Sequence, residues 1–197
     1  MKDNKMKKIL CILSIIGLTA QAQQAPAPKQ TQSVLITGVT AHIGNGTVIN
    51  NAAIGFADGK ITYVGAASQA NATSFGKVVD ASGKHVYPGF IAANSTLGLV
   101  EVDAVRASDD EAEVGGIIPH VRSIIAYNAE SKIVESMRPN GVLMAQVTPR
   151  GGRVSGSSSI VQLDGWNWED AALKTDDGIH MNWPNSFTRG RWWLGED

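Results

Sequence analysis

The chain has 197 residues, with 17 Lys and Arg against 18 Asp and Glu and a formal net charge of −1. That balance carries no basic stripe of the kind nucleic-acid binding needs. The single cysteine is Cys11, so thiolate metal clusters and disulfide frameworks are excluded from the rest of the chain.

The first stretch, MKDNKMKK followed by ILCILSIIGLTA, pairs a basic segment with a short apolar core, and Ala20-Gln21-Ala22 places small residues at a cleavage position. This reads as a secretory signal over 1–22, too short to span a bilayer well, and predicts export to the periplasm with no membrane segment after cleavage. Removing it leaves 175 residues without cysteine, carrying 13 basic and 17 acidic side chains. Residues 23–32, QQAPAPKQTQ, are polar with two prolines and read as a leader.

From Ser33 branched residues dominate. Val34 to Ile43 predicts a strand, and AAIGFADGKITYVG predicts a hairpin turned at Asp58-Gly59, because both turn residues of a primed turn need positive φ. A second turn at Ala81-Ser82-Gly83 separates KVVD from KHVYPGFI, so residues 33–87 form a β-rich module of four to six strands. The acidic run EVDAVRASDDEAEVGG predicts loop with a partial helix. SKIVESMRPNG then predicts a short helix, capped by Ser131 and stopped at Asn140-Gly141. The all-apolar GVLMAQV directly after it is the βα rhythm of a parallel sheet, and SSIVQLDG predicts a further strand.

Several stretches bear on chemistry. TPRGGRVSGSSS offers backbone N–H groups flanked by Arg150 and Arg153 for an anion. It lacks a P-loop lysine, and its serines lack the Gly-x-Ser-x-Gly spacing of a nucleophile elbow; a plain glycine-marked loop is the simpler reading. His42, His85, His120 and His180 include no pair at i+2, i+3 or i+4, so no local metal platform is expected. His180, after Asp176 and Asp177, is a candidate ligand-binding or acid–base residue. Asp109, Asp110, Glu111 and Glu113 miss calcium-loop spacing and read as a solvated loop. Trp166, Trp168, Trp183, Trp192 and Trp193 crowd the last third of the chain, as core or as a cleft lining.

The linked elements Asp58-Gly59-Lys60-Ile61, Asp80-Ala81-x-Gly83-Lys84 and Pro88-Gly89-Phe90-Ile91 resemble the N-terminal part of the amidohydrolase superfamily, of the imidazolonepropionase-like type, and the later TPRGGRVSGSSSIVQLDGWNWEDAALKTDDGIHMNWP is similar to a periplasmic subgroup of it. The resemblance implies an α/β fold: β-sandwich strands over 33–87, then over 88–197 the first part of a TIM-like (β/α)8 barrel of metal-dependent hydrolases. Such a barrel takes about 250 residues, so an incomplete one is expected here. It also implies hydrolysis of carbon–nitrogen bonds in cyclic amides by hydroxide on zinc or another divalent metal.

The family pattern Pro-Gly-[FL]-Ile-Asp-x-His-x-His sets two imidazoles on one strand face. Here Ala92 stands for the aspartate, and Asn94 and Thr96 stand for the histidines. An amide or a hydroxyl does not replace imidazole on zinc, and the second-sphere carboxylate is gone as well. The expectation is therefore a chain with no metal and no catalytic residue of its own. Asn94, Thr96, Arg150, Arg153 and His180 are the candidate contacts to a small amide-like ligand. A non-catalytic ligand-binding module of the periplasm is the rival reading.

Overall fold

The computed structural model describes residues 25–183. The predicted signal segment, Trp192 and Trp193 lie outside them. The described chain is a mixed α/β structure of mostly strands in two sheets, with few helices.

The first sheet has the order β3-β2-β1-β4, with β5 also on β1. Its strands are β1 (Val34–His42), β2 (Val48–Ala57), β3 (Lys60–Ala66), β4 (Lys77–Asp80) and β5 (His85–Val86). The β2–β3 hairpin turns at Asp58 and Gly59, with φ of 51° and 70°, as a primed Asp-Gly turn requires. β1 runs antiparallel to β2 and parallel to β4 and β5. The Gln30 side chain ties the chain before β1 to this hairpin, donating to the Phe56 carbonyl and accepting from the Gly59 N–H. Val39, Ala41 and Ala52 are buried as a small core of their own. On the other face Phe75 lies over Gly55, where any Cβ would collide with its ring.

The second sheet has the order β6-β7-β8-β9, made of β6 (Phe90–Ser95), β7 (Val142–Val147), β8 (Val154–Gln162) and β9 (Ala172–Met181). Between β6 and β7 comes helix α1 (Lys132–Met137). The Ser131 hydroxyl accepts from the N–H groups of Ile133 and Val134, and the chain leaves the following 3-10 turn through Gly141 at φ 87°. β6 and β7 are parallel, as the helix–strand rhythm predicts. β8 and β9 correct the expectation of a parallel sheet: β7–β8–β9 is an antiparallel meander. The link from β7 to β8 is too short for the crossover that a parallel neighbour would need.

One face of this sheet carries the main core: Ala145, Val147, Val161 and Leu163 from the sheet side against Leu99, Ile124, Tyr127 and Val134. A short helix α2 (Trp168–Ala171) adds Ala171, with Trp168 packed at its margin, whereas Trp166 and Trp183 are exposed.

β8 also corrects the reading of its first half as loop. Val154–Ser159 is strand, and Ser155, Ser157, Ser158 and Ser159 are all buried. A run of serines can occupy a strand centre only if every hydroxyl is partnered, and here each is. Ser155 donates to the Gly151 carbonyl at 2.6 Å, Ser157 to Asp176 at 2.8 Å and Ser158 to Asp177 at 2.6 Å, while Ser159 accepts from the Asp176 N–H at 3.1 Å.

Candidate functional site

The site is built at the end of β6, where the pairing with β7 slips. Ala92 pairs with Ala145 and Ser95 with Val147, so two residues, Ala93 and Asn94, face the single Gln146. This bulge puts Asn94 at φ 51°, a left-handed conformation that asparagine tolerates better than most side chains. Its N–H turns onto Gln146 Oε1 at 3.2 Å. Its side-chain and main-chain oxygens both face Arg150, accepting from Nη1 at 2.6 Å and Nη2 at 2.7 Å.

Gln146 extends the chain of contacts across the sheet. With its oxygen facing the Asn94 N–H, its Nε2 donates to Asp177 Oδ2 at 2.8 Å. Asp177 Oδ1 accepts from Ser158, whose side chain is fully buried, and Ser158 Oγ lies 2.8 Å from His180 Nε2. Ser158 has one proton, and the short contact to a carboxylate takes it. His180 Nε2 must then carry its own proton and donate. The order His180→Ser158→Asp177 is the reverse of an activated nucleophile, in which the imidazole accepts from the serine. Buried and without access to substrate, Ser158 holds Asp177 and His180 in place.

Asn94, Arg150 and His180 thus fall into one hydrogen-bonded network. Thr96 lies just past β6, two residues from Asn94, and its carbonyl accepts from the Leu99 N–H. Arg153 is exposed, and its backbone is committed: its N–H bonds the Gly116 carbonyl and its carbonyl accepts from Asn182. The Asn182 side chain also donates to the Gly152 carbonyl at 2.8 Å, closing the glycine loop. Gln146, Ser158 and Asp177 were not singled out by sequence reasoning. No motif marks them; their meeting depends on the β7–β8–β9 register.

A divalent metal does not fit the end of β6. Both oxygens that Asn94 could offer are engaged by a guanidinium, and a second cation at that point would meet its full charge. Among the described residues no group of three or more His, Cys, Asp and Glu is placed to hold a metal ion.

The opposite face holds a second charged arrangement. Arg122 clasps Asp176 with Nε at 2.9 and 3.0 Å from the two carboxylate oxygens and Nη2 at 2.7 Å, and Ser157 adds a further bond. The Arg122 hydrogen bond, then that of Ser157, holds the Asp176 carboxyl below its ordinary 3.8. A carboxyl lowered in the folded state contributes stability above its unfolded value and loses it as pH falls through the folded one. An Arg122→Gln variant is therefore expected to be less stable than the parent at neutral pH and equal to it in strong acid. Urea denaturation at both conditions measures this. Arg122 also borders a cleft of about 610 Å³ lined by Asp110, Glu111, Glu113, His120 and Ser123, among others. None of Asn94, Thr96, Arg150, Arg153 and His180 lines it.

No family model matches the chain, and no curated protein does. Among solved structures it is similar in fold to an amidohydrolase from Thermotoga maritima MSB8, at 23% identity and a TM-score of 0.68, over 75% of this chain and 38% of that one. The chain thus spans well under half the length of that neighbour.

Proposed function

We propose that this chain is of the amidohydrolase type: an exported, periplasmic part of a scaffold for hydrolysing carbon–nitrogen bonds in cyclic amides, in which the parallel pair β6–β7, with helix α1 between them, corresponds to opening strands of a (β/α)8 barrel and the antiparallel β8–β9 hairpin is an addition to that plan. The fold likeness supports the scaffold, and the Pro88-Gly89-Phe90-Ile91 motif leading into β6 supports the type. Within that reading the chain alone is inactive. The observation that carries this is the Arg150 guanidinium on both oxygens of Asn94, where the resemblance places a metal-binding imidazole. The purified chain, assayed on cyclic amides with and without added zinc, is expected to show no metal-dependent hydrolysis. A zinc-dependent rate well above background that disappears on chelation would overturn this reading.

The same observation favours a second reading, a ligand-binding module. Arg150 is held by two neutral oxygens, so its positive charge is left for an incoming anion. A small carboxylate that binds there raises the melting midpoint of the parent by mass action, and Arg150→Gln abolishes that rise. Equal shifts in parent and variant would eliminate Arg150 as the contact.

A further inference from the structure

The first sheet brings together two histidines that lie far apart in sequence. Thr40 pairs with His85 and Ala41 with Val86 in the parallel β1–β5 ladder, so His42 and His85 are diagonal neighbours. His42 Nε2 and His85 Nδ1 are 3.0 Å apart. The ring centroids are 5.3 Å apart with planes inclined by 26°, which means that the imidazoles meet edge to edge in nearly one plane. Tyr87, the next residue along the level of His42, stacks on its ring at 4.3 Å and 12°. His42 is half-buried, and His85 and Tyr87 are exposed.

We propose that His42 and His85 form a two-imidazole site for a divalent transition-metal ion, with Cu2+ as the preferred class. Two cis nitrogens bound to one ion at about 2.0–2.1 Å stand about 2.9–3.4 Å apart. The pair is already at that separation without an ion. As neutral rings they share one N–H···N contact. Chelation requires the donating ring to move its proton to its other nitrogen and both rings to tilt outward, so that two lone pairs meet at one point above the sheet. The incoming ion sheds two waters for the two nitrogens, with no net change in protons on the rings. The stack on Tyr87 limits rotation of His42 and lowers the ordering cost of binding. With two protein ligands, the other positions stay with water and the ion exchanges freely. A nitrogen-only pair without thiolates then follows the divalent series, in which Cu2+ binds more tightly than Ni2+ or Zn2+. The site lies on the first sheet and does not depend on the β6 network or on the hydrolase reading.

The experiment is a Cu2+ titration of the full chain, of His42→Gln, of His85→Gln and of the double variant. The double variant defines uptake by the rest of the molecule. One equivalent is expected to bind the parent with electron-spin couplings to two nitrogens. Each single variant is expected to lose at least tenfold in affinity, and Zn2+ to bind the parent more weakly. Parent affinity equal to that of the double variant, or a single variant as tight as the parent, overturns the proposal. A readout on the unaltered protein covers any variant that folds poorly. Cu2+ should shield both His42 and His85 from acylation by diethyl pyrocarbonate, as peptide mapping would reveal, and acylation of either at an undiminished rate refutes the site.

Discussion

Replacing Gly156 by alanine is expected to lower the stability of the chain by about 3 kcal/mol, the sum of a strained backbone and an overpacked contact. Gly156 has φ 118°, a region that L side chains rarely adopt, and lies in the middle of the buried part of β8. An added Cβ would press directly on the Val121 carbonyl, with its carbon at 3.0 Å. That carbonyl cannot withdraw without loss, because it accepts from the Ser157 N–H at 2.7 Å. The Val121 segment passes beside β8 just where β7 has ended, so the sheet continues there through isolated bridges at Ile117–Val154 and Arg122–Ser157. Alanine at 156 therefore loosens Arg122 and its partner Asp176 together with β8. Urea denaturation of the parent and of Gly156→Ala measures the loss. A change under about 1 kcal/mol would mean that the strand can relax at that point.

Replacing Ser158 by alanine is the second large effect, expected at about 2 kcal/mol, within the range for a hydrogen bond to a charged group. The variant removes the donor at 2.6 Å from Asp177 and the acceptor for His180. The upper part of that range is not reached, because Asp177 is half-buried and water can restore part of its solvation. The coupling is read from a double-mutant cycle with Asp177→Ala. If the two residues act through their bond, the double variant is destabilised by less than the sum of the singles. Strict additivity would show that the contact contributes nothing and that Ser158 matters only by its volume.

Local rules account for a good part of the fold. Asp58-Gly59 encodes its own turn, Ser131 its own cap and Asn140-Gly141 its own stop, since each acts on backbone groups a few residues away. The parallel pairing of β7 with β6 follows the helix–strand rhythm, but the burial on both faces that the apolar run suggested is met only in part: Ala145 and Val147 are buried while Leu143 is exposed. What stayed hidden depends on pairing at a distance. Val154–Ser159 looks like loop because its glycine and serines carry turn chemistry, and only the carboxylates of β9 make that polarity compatible with a strand. β9 itself, ALKTDDGIHM, has no alternation to announce it, and His180 lies near its end. The candidate site divides in the same way. Asn94, Arg150 and His180 could be picked from sequence, but the Gln146 amide and the Asp177 carboxylate that connect them appear only when β7, β8 and β9 are in register. The His42–His85 pair has the same origin, since sequence spacing tests for neighbours along one element and not across a ladder.

The position of β1 bears on the order in which the protein takes shape as the chain emerges from its N-terminal end. Among the described residues it is the earliest strand and yet an interior one, zipped on one side to β2 and on the other to β4 and β5. The β1–β2–β3 meander can close as soon as Ala66 has emerged, using turns within reach. The far side of β1, from Val34 to Thr37, then waits with unpaired amides and carbonyls until Lys77–Asp80 emerges. For that interval the nascent chain is a three-stranded ribbon with a sticky inner edge, open to any extended segment that arrives first. The parallel closure by β4, a non-local step, is therefore the slow and vulnerable moment in assembling the first sheet.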